Sequence, residues 1–309
     1  MRNPDTFDVI IIGSGPAGLT AAIYTSRARL ETLLITGSPW GGQLMFTAVV
    51  ENFPGFAEGV LGPHLMKSMQ QQAKRFGAEI LFDNVTEVDL STNPFMIHSD
   101  DRTLRGRSVI IATGSSPMWL GLDSEARLRG RGVATCATCD APLFINKKTA
   151  VVGGGDEAIE EALALAEFAE KVTVIHRRDA LRATKILQER AFKNDKIGFL
   201  WDTRIQEFLG VDKVEGLRLQ NVKTGEEFEL AVDGVFIAIG YTPNTDLFKG
   251  KLELDVNGYI VVHNETKTSV DGVFVAGDAK DPRYRQVVTA AGDGCKAALD
   301  AERYLRRLQ

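Results

Sequence analysis

The residues with the clearest capacity for chemistry are two cysteines with two residues between them, in the run Cys136-Ala137-Thr138-Cys139-Asp140. Such a pair can close into a disulfide and be reopened by a thiolate, and a neighbouring acid can handle the protons. The alternative is half of a zinc site, which needs four ligands. Cys295 stands alone, however, and the chain's four histidines lack ligand spacing. The sequence therefore predicts a redox dithiol with Asp140 as its acid, and no metal site.

The first nucleotide-binding signal follows a short β-branched run at residues 8–12. The segment Gly13-Ser14-Gly15-Pro16-Ala17-Gly18 has the G-x-G-x-x-G spacing and leads into a helical pattern. The first glycine permits a tight turn, the second lets a pyrophosphate approach the backbone, and the third lets the helix pack on the strand. The acid often found after the next strand is missing, since Thr36-Gly37-Ser38 stands there. The motif predicts a bound dinucleotide without specifying which one.

A second strand, glycine turn and helix follow the cysteines. The turn, Gly153-Gly154-Gly155-Asp156-Glu157-Ala158, fits G-x-G-x-x-A. The next strand, residues 171–175, ends in His176-Arg177-Arg178, and we expect Arg182 one helical turn beyond Arg178. Guanidinium groups suit a 2′-phosphate, so the sequence favours NADPH over NADH. The alternative is a solvated basic helix start.

Length and composition limit the classes of protein that need to be considered. The 309 residues predict about two domains, and 44% hydrophobic with 25% charged residues is ordinary for a globular protein. A net charge of −5 argues against a nucleic-acid or membrane-surface partner. No signal peptide is recognisable, and no apolar stretch approaches the ~20 residues that span a bilayer. With three cysteines, we expect a cytoplasmic protein.

The pattern of the whole chain predicts an α/β fold. It has two Rossmann-like, three-layer dinucleotide-binding domains, the second inserted in the first. The predicted domains are residues 1–116, 117–243 and 244–309, the first and last forming one domain. Further strands are predicted at residues 32–36, 108–113, 149–152, 233–239 and 272–278, and helices at residues 19–29, 63–76, 159–170 and 292–308.

Together these motifs resemble the bacterial-type, low-molecular-weight thioredoxin reductases over nearly the whole chain. The conjunction and order of the motifs carry the resemblance. They are residues 13–18, Gly42-Gln43, Glu51-Asn52-Phe53-Pro54-Gly55, residues 136–140, Gly153-Gly154-Gly155-Asp156, His176-Arg177-Arg178 with Arg182, Ala276-Gly277-Asp278 and Tyr284-Arg285-Gln286.

The resemblance implies a homodimer in which both chain ends form an FAD domain and the middle forms an NADPH domain. In the family these domains rotate against each other, which here implies hinges near Ser116-Pro117 and residues 242–244. The implied FAD contacts are Gly13, Gly15, Pro16, Ala17, Gly18, Gly42, Gln43, Asn52, Gly114, Gly277, Asp278, Arg285, Gln286 and Val287. The implied NADPH contacts are Gly153, Gly155, Asp156, Ala158, His176, Arg177, Arg178 and Arg182.

The implied activity is that of a thioredoxin-disulfide reductase. Electrons pass from NADPH through FAD to the Cys136–Cys139 disulfide and then to a protein disulfide, most naturally that of thioredoxin. The resemblance makes Cys139 the sulfur nearer the flavin and Asp140 the acid that moves the proton.

The sequence departs from the family at two places. Ala141-Pro142-Leu143-Phe144 stands where Gly-Phe-Phe is usual, so either Leu143 and Phe144 take over the partner contact or the acceptor is an atypical thioredoxin. Arg131 matches a family arginine used on the partner. Glu157 replaces a small residue beside the pyrophosphate, so weak use of NADPH or another donor such as ferredoxin remains an alternative. A non-catalytic flavin redox sensor is a third hypothesis, which would need neither Asp140 nor the arginines.

Overall fold

The structure is a computed structural model and describes residues 6–47, 49–100 and 102–308. The chain divides into two compact units, one formed by both ends of the chain and the other by Pro117–Tyr241. The chain thus leaves the first unit after Ser116 and returns to it at Thr242, whereas the sequence places the second boundary after Pro243.

Both units contain helices and strands. The α-helices are α1 Pro16–Arg27, α2 Gly62–Arg75, α3 Asp123–Leu128, α4 Ala137–Asp140, α5 Asp156–Phe168, α6 Lys185–Phe192 and α7 Val287–Arg307. The strands are β1 Thr6–Ile12, β2 Thr32–Ile35, β3 Val49–Val50, β4 Val60–Leu61, β5 Glu79–Leu81, β6 Val85–Asp89, β7 Phe95–Ser99, β8 Thr103–Ile111, β9 Ser115–Pro117, β10 Val133–Ala134, β11 Lys148–Val152, β12 Lys171–Ile175, β13 Ile197–Leu200, β14 Thr203–Leu209, β15 Gly216–Asn221, β16 Glu227–Ala231, β17 Gly234–Ile237, β18 Tyr241–Pro243 and β19 Val273–Val275.

The main sheet of the first unit combines a parallel part with an antiparallel extension. Its parallel strands run in the order β5-β2-β1-β8-β19. The long strand β8 belongs to both parts, because its first half pairs antiparallel with β7, which pairs with β6. The carboxyl ends of the parallel strands meet at one edge of this sheet, where ligands of such folds bind.

Strand β1 is buried on both faces of the sheet, which explains its β-branched sequence. Val9 and Ile11 pack with residues of α1, α2 and α7 on one face. Ile10 and Ile12 pack on the other face with residues of the β6–β8 extension. The unit therefore has three layers: helices, parallel sheet and antiparallel strands.

The second unit repeats this arrangement. Its parallel sheet has the order β13-β12-β11-β17-β10, and β14, β15 and β16 form a separate antiparallel sheet. Val151 packs against α5, while Ala150 and Val152 pack with residues of the antiparallel sheet. The prediction of an α/β protein with two Rossmann-like, three-layer units is confirmed.

Several predicted boundaries shift where side chains define an end. The last helix begins at Val287 rather than at residue 292, because Gln286 caps it in a capping box with Thr289. The predicted strand 272–278 is limited to Val273–Val275, since Gly277 turns the backbone with a φ of +71°. Among the described residues, no helix is both long and apolar enough to cross a membrane.

Candidate active site

The first glycine turn joins β1 to α1 at the carboxyl edge of the sheet. A Cβ at Gly13 would lie 2.3 Å from the carbonyl oxygen of Ala112, and one at Gly18 would lie 1.9 Å from that of Gly13. Neither position accepts a side chain. At Gly15 no atom lies within 4 Å of where a Cβ would be, and α1 begins at the next residue, Pro16. This open space at the positive end of a helix dipole fits a diphosphate.

Segments far apart in sequence lie beside one another in this unit. Gly42 packs close to Gly15, since a Cβ at Gly42 would lie 3.6 Å from the Gly15 Cα atom. The Asn52 side-chain amide donates a hydrogen bond to Oε1 of Gln286 at 3.2 Å. These contacts join predicted FAD residues from the first turn, the following loop and the start of α7.

Ala17 connects α1 to the end of the chain. A Cβ at Gly277 would lie 3.1 Å from the Ala17 Cβ, and one at Gly294 would lie 2.1 Å from the Ala17 carbonyl oxygen. Helix α7 therefore lies directly on α1, which requires glycine at position 294. Gly294 was not predicted as a contact residue, because its one local signal is a glycine inside a helical pattern.

Asp278 is a largely buried acid beside this turn. The Ser115 hydroxyl donates a hydrogen bond to its carboxylate at 3.3 Å. Burial, reinforced by the nearby Asp281 carboxylate, raises the pKa of Asp278 to about 6. Lys280, two positions after Asp278, forms an ion pair with Asp293 at 2.8 Å, and each of these two side chains is 12% exposed. The Asp278 carboxyl group can therefore accept or donate hydrogen bonds near neutral pH, which fits a ligand rich in hydroxyl groups.

The other predicted FAD residues have varied settings. Gln43 is exposed, and Val287 is the first residue of α7. No atom lies within 4 Å of a Cβ built at Gly114. The Arg285 guanidinium donates to the carbonyl oxygen of Pro282 at 2.8 Å. Their contacts with a flavin stay predictions.

The second glycine turn joins β11 to α5 and repeats the design of the first. A Cβ at Gly153, whose φ is +155°, would lie 2.3 Å from the Ala238 carbonyl oxygen and 2.6 Å from the Ala158 Cβ. Gly155 again has no atom within 4 Å of a built Cβ, and α5 begins at Asp156. The second unit therefore also leaves room for a diphosphate at a helix N-terminus.

The middle glycine of this turn packs against His176. A Cβ at Gly154 would lie 2.4–2.6 Å from three atoms of the His176 ring, which is 6% exposed. Burial lowers the pKa of His176, and the charges of the three nearby arginines add to that effect. Its Nε2 has no hydrogen-bond partner among the described residues. His176 supports the turn from within the unit, and its assignment as a nucleotide contact stays a prediction.

The arginines after β12 lie on a segment that folds back over the glycine turn. Arg177, Arg178 and Arg182 are all exposed. The backbone N–H of Arg182 donates to the Gly154 carbonyl oxygen at 2.7 Å. Expecting Arg182 one helical turn past Arg178 was wrong, because residues 177–184 are not helical and α6 begins only at residue 185.

Asp156 helps to hold this segment in place. Its Oδ1 accepts a hydrogen bond from the backbone N–H of Thr184 at 2.5 Å. The Ala183 N–H also donates to the Gly154 carbonyl oxygen, at 3.1 Å. Backbone groups that a helix would have paired locally are therefore satisfied by the glycine turn and by the first residue of α5.

The two cysteines of the predicted dithiol form a disulfide. Cys136 is the N-cap residue of α4, and Cys139 lies in that helix. The Cα atoms of the two cysteines are 5.3 Å apart. The backbone N–H groups of Cys139 and Asp140 donate to the Cys136 carbonyl oxygen at 3.3 and 3.1 Å. Within the described part of the chain, no group of His, Cys, Asp or Glu could hold a metal ion. The pair is therefore a disulfide on a short helical turn.

The residues after the dithiol differ in their exposure. Phe144 is 8% exposed and packs edge-on against Phe236, with ring centroids 5.3 Å apart. Its ring also fills the space where Gly234 would carry a Cβ. The suggestion that Phe144 contacts a partner is therefore wrong, because its side chain belongs to the core. Leu143 is 37% exposed, and its contact with a partner stays a prediction.

One residue of the dithiol region was missed entirely. The carboxylate of Glu161, on α5, accepts a hydrogen bond from the backbone N–H of Ala137, the first residue of α4. Twenty-four residues separate the two, so no local pattern predicts the contact.

The fold and these sites define a class of protein. Two units each present an open glycine turn for a dinucleotide, and one of them also carries a disulfide next to an acid. This is the arrangement of an oxidoreductase that couples nucleotide cofactors to a disulfide.

Comparisons with known proteins define the family. Residues 7–294 match the family described as pyridine nucleotide-disulphide oxidoreductase. A thioredoxin reductase of Streptomyces coelicolor is 53% identical over 98% of this chain and 95% of its own length. One from Rickettsia conorii is 53% identical over 98% of this chain and 99% of its own length. The crystal structure of thioredoxin reductase from Streptococcus pyogenes, 40% identical, covers 99% of this chain and 100% of its own with a TM-score of 0.94.

The chain therefore belongs to the thioredoxin reductases of the pyridine nucleotide-disulphide oxidoreductase family, which are flavoprotein disulfide reductases. The resemblance drawn from its motifs is confirmed, as is its interpretation as an enzyme.

Proposed function

We propose that this protein passes electrons from NADPH, through FAD and the Cys136–Cys139 dithiol, to a disulfide of thioredoxin or a thioredoxin-like protein. The observation that carries the proposal is the disulfide itself, in the same unit as the second glycine turn. The names of the relatives support the same acceptor.

The unit formed by both chain ends is proposed to bind FAD. The opening at Gly15 receives the diphosphate, and the contacts of Gly42 and Gly277 with that region support the placement. Asp278 holds the ribityl hydroxyls, and the linked side chains of Asn52 and Gln286 lie near the flavin ring. FAD supplies two-electron chemistry between a nicotinamide and a disulfide.

The middle unit is proposed to bind NADPH. Gly155 opens onto the N-terminus of α5, and Arg177, Arg178 and Arg182 are exposed where a 2′-phosphate would be bound. Each charge-assisted hydrogen bond contributes roughly 1.5–3 kcal/mol. Repulsion by Glu157, a single half-buried carboxylate, costs on the order of 1 kcal/mol. The favourable contacts of the arginines outweigh the repulsion by Glu157, so NADPH is favoured as the donor. Glu157 is the observation that favours the second candidate, a donor such as ferredoxin.

The chain's own residues then handle the sulfur chemistry. Two electrons and two protons convert the disulfide into two thiols. Cys139 receives the electrons, and the Asp140 carboxyl gives a proton to the leaving thiolate and later takes it back. One thiolate then attacks the partner's disulfide, and the other thiol resolves the mixed disulfide.

The acceptor is proposed to dock on Leu143 and Arg131, which are exposed on either side of the dithiol in the sequence. With Phe144 in the core, the surface offers less aromatic area than the family usually presents, which favours a thioredoxin variant as partner. We also propose that the protein is a cytoplasmic homodimer.

The dithiol variants provide the decisive test. Cys136→Ser and Cys139→Ser should each abolish thioredoxin reduction and retain NADPH-to-dye electron transfer, because a dye bypasses the dithiol. Cys295→Ser is the matched control and should leave both activities unchanged. Thioredoxin reduction at the parental rate by either of the first two variants would show that the pair is structural.

The donor is tested separately by anaerobic titration of the flavin. NADPH should bleach it and NADH should do so far less well, and Arg177→Ala with Arg178→Ala should remove the difference. If NADPH leaves the flavin oxidised while dithionite reduces it, another donor takes its place. A non-catalytic flavin redox sensor would keep its oxidised flavin spectrum when a dithiol is added, because only an enzyme couples thiol oxidation to bleaching of the flavin.

A further inference from the structure

The dithiol turn, residues 136–140, has a carboxylate next to its start. Ala137, the residue after Cys136, is fully buried, and its backbone N–H donates to Oε2 of Glu161. Glu161 is half-buried on α5, the helix on which α4 packs. The negative charge therefore lies one peptide group away from the Cα atom of Cys136.

This position matters because of what a free N–H would do there. Backbone N–H groups at the start of a helical turn stabilise a thiolate at its N-cap and lower the thiol pKa. Here the first N–H is directed to Glu161 instead, and the carboxylate adds a repulsive charge. Both effects disfavour the Cys136 thiolate and leave the disulfide unaffected.

We propose that Glu161 is a positioning residue that holds the dithiol turn through Ala137 and, by its charge, favours the disulfide over the dithiolate. Where the thiolates are populated, a dithiol whose reduced form is disfavoured is the stronger reductant. The inference rests on the proposed function in that the dithiol is taken to be redox-active.

Other ionisable groups also lie near the turn and must be separated from Glu161. Asp140 ends α4, and Glu157 lies one helical turn before Glu161 on α5. The Tyr241 hydroxyl donates to the carbonyl oxygen of Thr135, just before Cys136. The segment Ala141–Phe144 that packs on α4 contains no ionisable side chain.

Two substitutions separate the charge from the hydrogen bond. Glu161→Gln keeps an acceptor for the Ala137 N–H and removes the charge, whereas Glu161→Ala removes both. Glu160→Gln is the matched control, because Glu160 is exposed on the same helix. It removes one negative charge without touching the dithiol turn.

The experiment uses the FAD-containing protein reduced with dithiothreitol. The rate of iodoacetamide alkylation against pH gives the thiol pKa values, with the alkylated residue identified by mass spectrometry. We expect Glu161→Gln to lower the Cys136 pKa by about 1 unit. At pH values above both thiol pKa values, its dithiol–disulfide equilibrium with dithiothreitol should shift about tenfold toward the dithiol, which is about 30 mV.

The outcomes divide clearly. A shift in Glu161→Gln that is absent in Glu160→Gln supports the proposal. Unchanged values in Glu161→Gln overturn it, whether or not Glu161→Ala is altered, because the contact would then be only a structural cap. Since alkylation needs neither NADPH nor thioredoxin, this result is independent of whether the proposed electron donor and acceptor are correct.

Discussion

The contact between Gly154 and His176 makes a prediction about the second unit. In Gly154→Ala the new methyl group would lie 2.4–2.6 Å from three ring atoms, where ordinary contacts are 3.4–4 Å. The ring is 6% exposed and has little room to move by about 1 Å. Overpacking of a buried site costs about 1–3 kcal/mol, so we expect Gly154→Ala to lower the stability of this unit by that amount.

A double-mutant cycle isolates the cause. Removing the ring in His176→Ala leaves space for the methyl group, so Gly154→Ala should cost little in that background. The coupling energy is then about 1–3 kcal/mol in magnitude. Gly155→Ala is the control, since no atom lies within 4 Å of its new methyl group. It should cost about 0.5–1 kcal/mol as a poorer N-cap, without coupling to His176, and should weaken NADPH binding.

The assay is urea denaturation followed by tryptophan fluorescence. Trp119 and Trp201 lie in the unit Pro117–Tyr241, so all variants are made in a Trp40→Phe background that removes the tryptophan of the other unit. Flavin fluorescence follows that other unit. The reasoning is refuted if Gly154→Ala has the same cost, within about 0.5 kcal/mol, with and without the His176 ring.

Two further predictions concern a buried acid and the residues after the dithiol. Because the folded pKa of Asp278, about 6, is above the ordinary value of 3.8 for an aspartate, ionisation destabilises the FAD-free protein by about 3 kcal/mol above pH 6 and not below pH ~4. Asp278→Asn should therefore raise the urea midpoint of FAD-free protein at pH 7 but not at pH 4, while weakening FAD binding; equal effects at both pH values would contradict this. Phe144→Ala should destabilise the second unit by about 3–5 kcal/mol, because it empties a core site. Leu143→Ala should change stability by less than about 0.5 kcal/mol and raise the KM for thioredoxin, and an unchanged KM would exclude Leu143 from the docking surface.

The sequence by itself determined the two nucleotide units and the dithiol. A buried β-branched strand, a glycine turn and an amphipathic helix are each specified within about 30 residues. The contact that requires Gly18 is made within one strand–turn–helix unit, whereas Gly13 and Gly153 are required by the carbonyl oxygens of Ala112 and Ala238, far along the chain. The disulfide joins cysteines three positions apart, so it too could be predicted from the local sequence.

Only the tertiary structure decided how these units are completed. Asn52 meets Gln286 across 234 positions, and Gly294 meets Ala17 because α7 packs on α1. Neither pairing leaves a periodic signal, since it depends on how separate elements are arranged in space.

The same reason explains the sequence-based errors. Composition makes residues 178–182 look like a helix start, but the Gly154 carbonyl oxygen accepts the backbone hydrogen bonds of Arg182 and Ala183. From the sequence, Phe144 is predicted to be a surface aromatic residue next to the dithiol. In the structure its ring is in the core, because Gly234 has no side chain and leaves space for it. The contact of Glu161 with Ala137 exists only because α4 packs on α5, which no spacing in the sequence encodes.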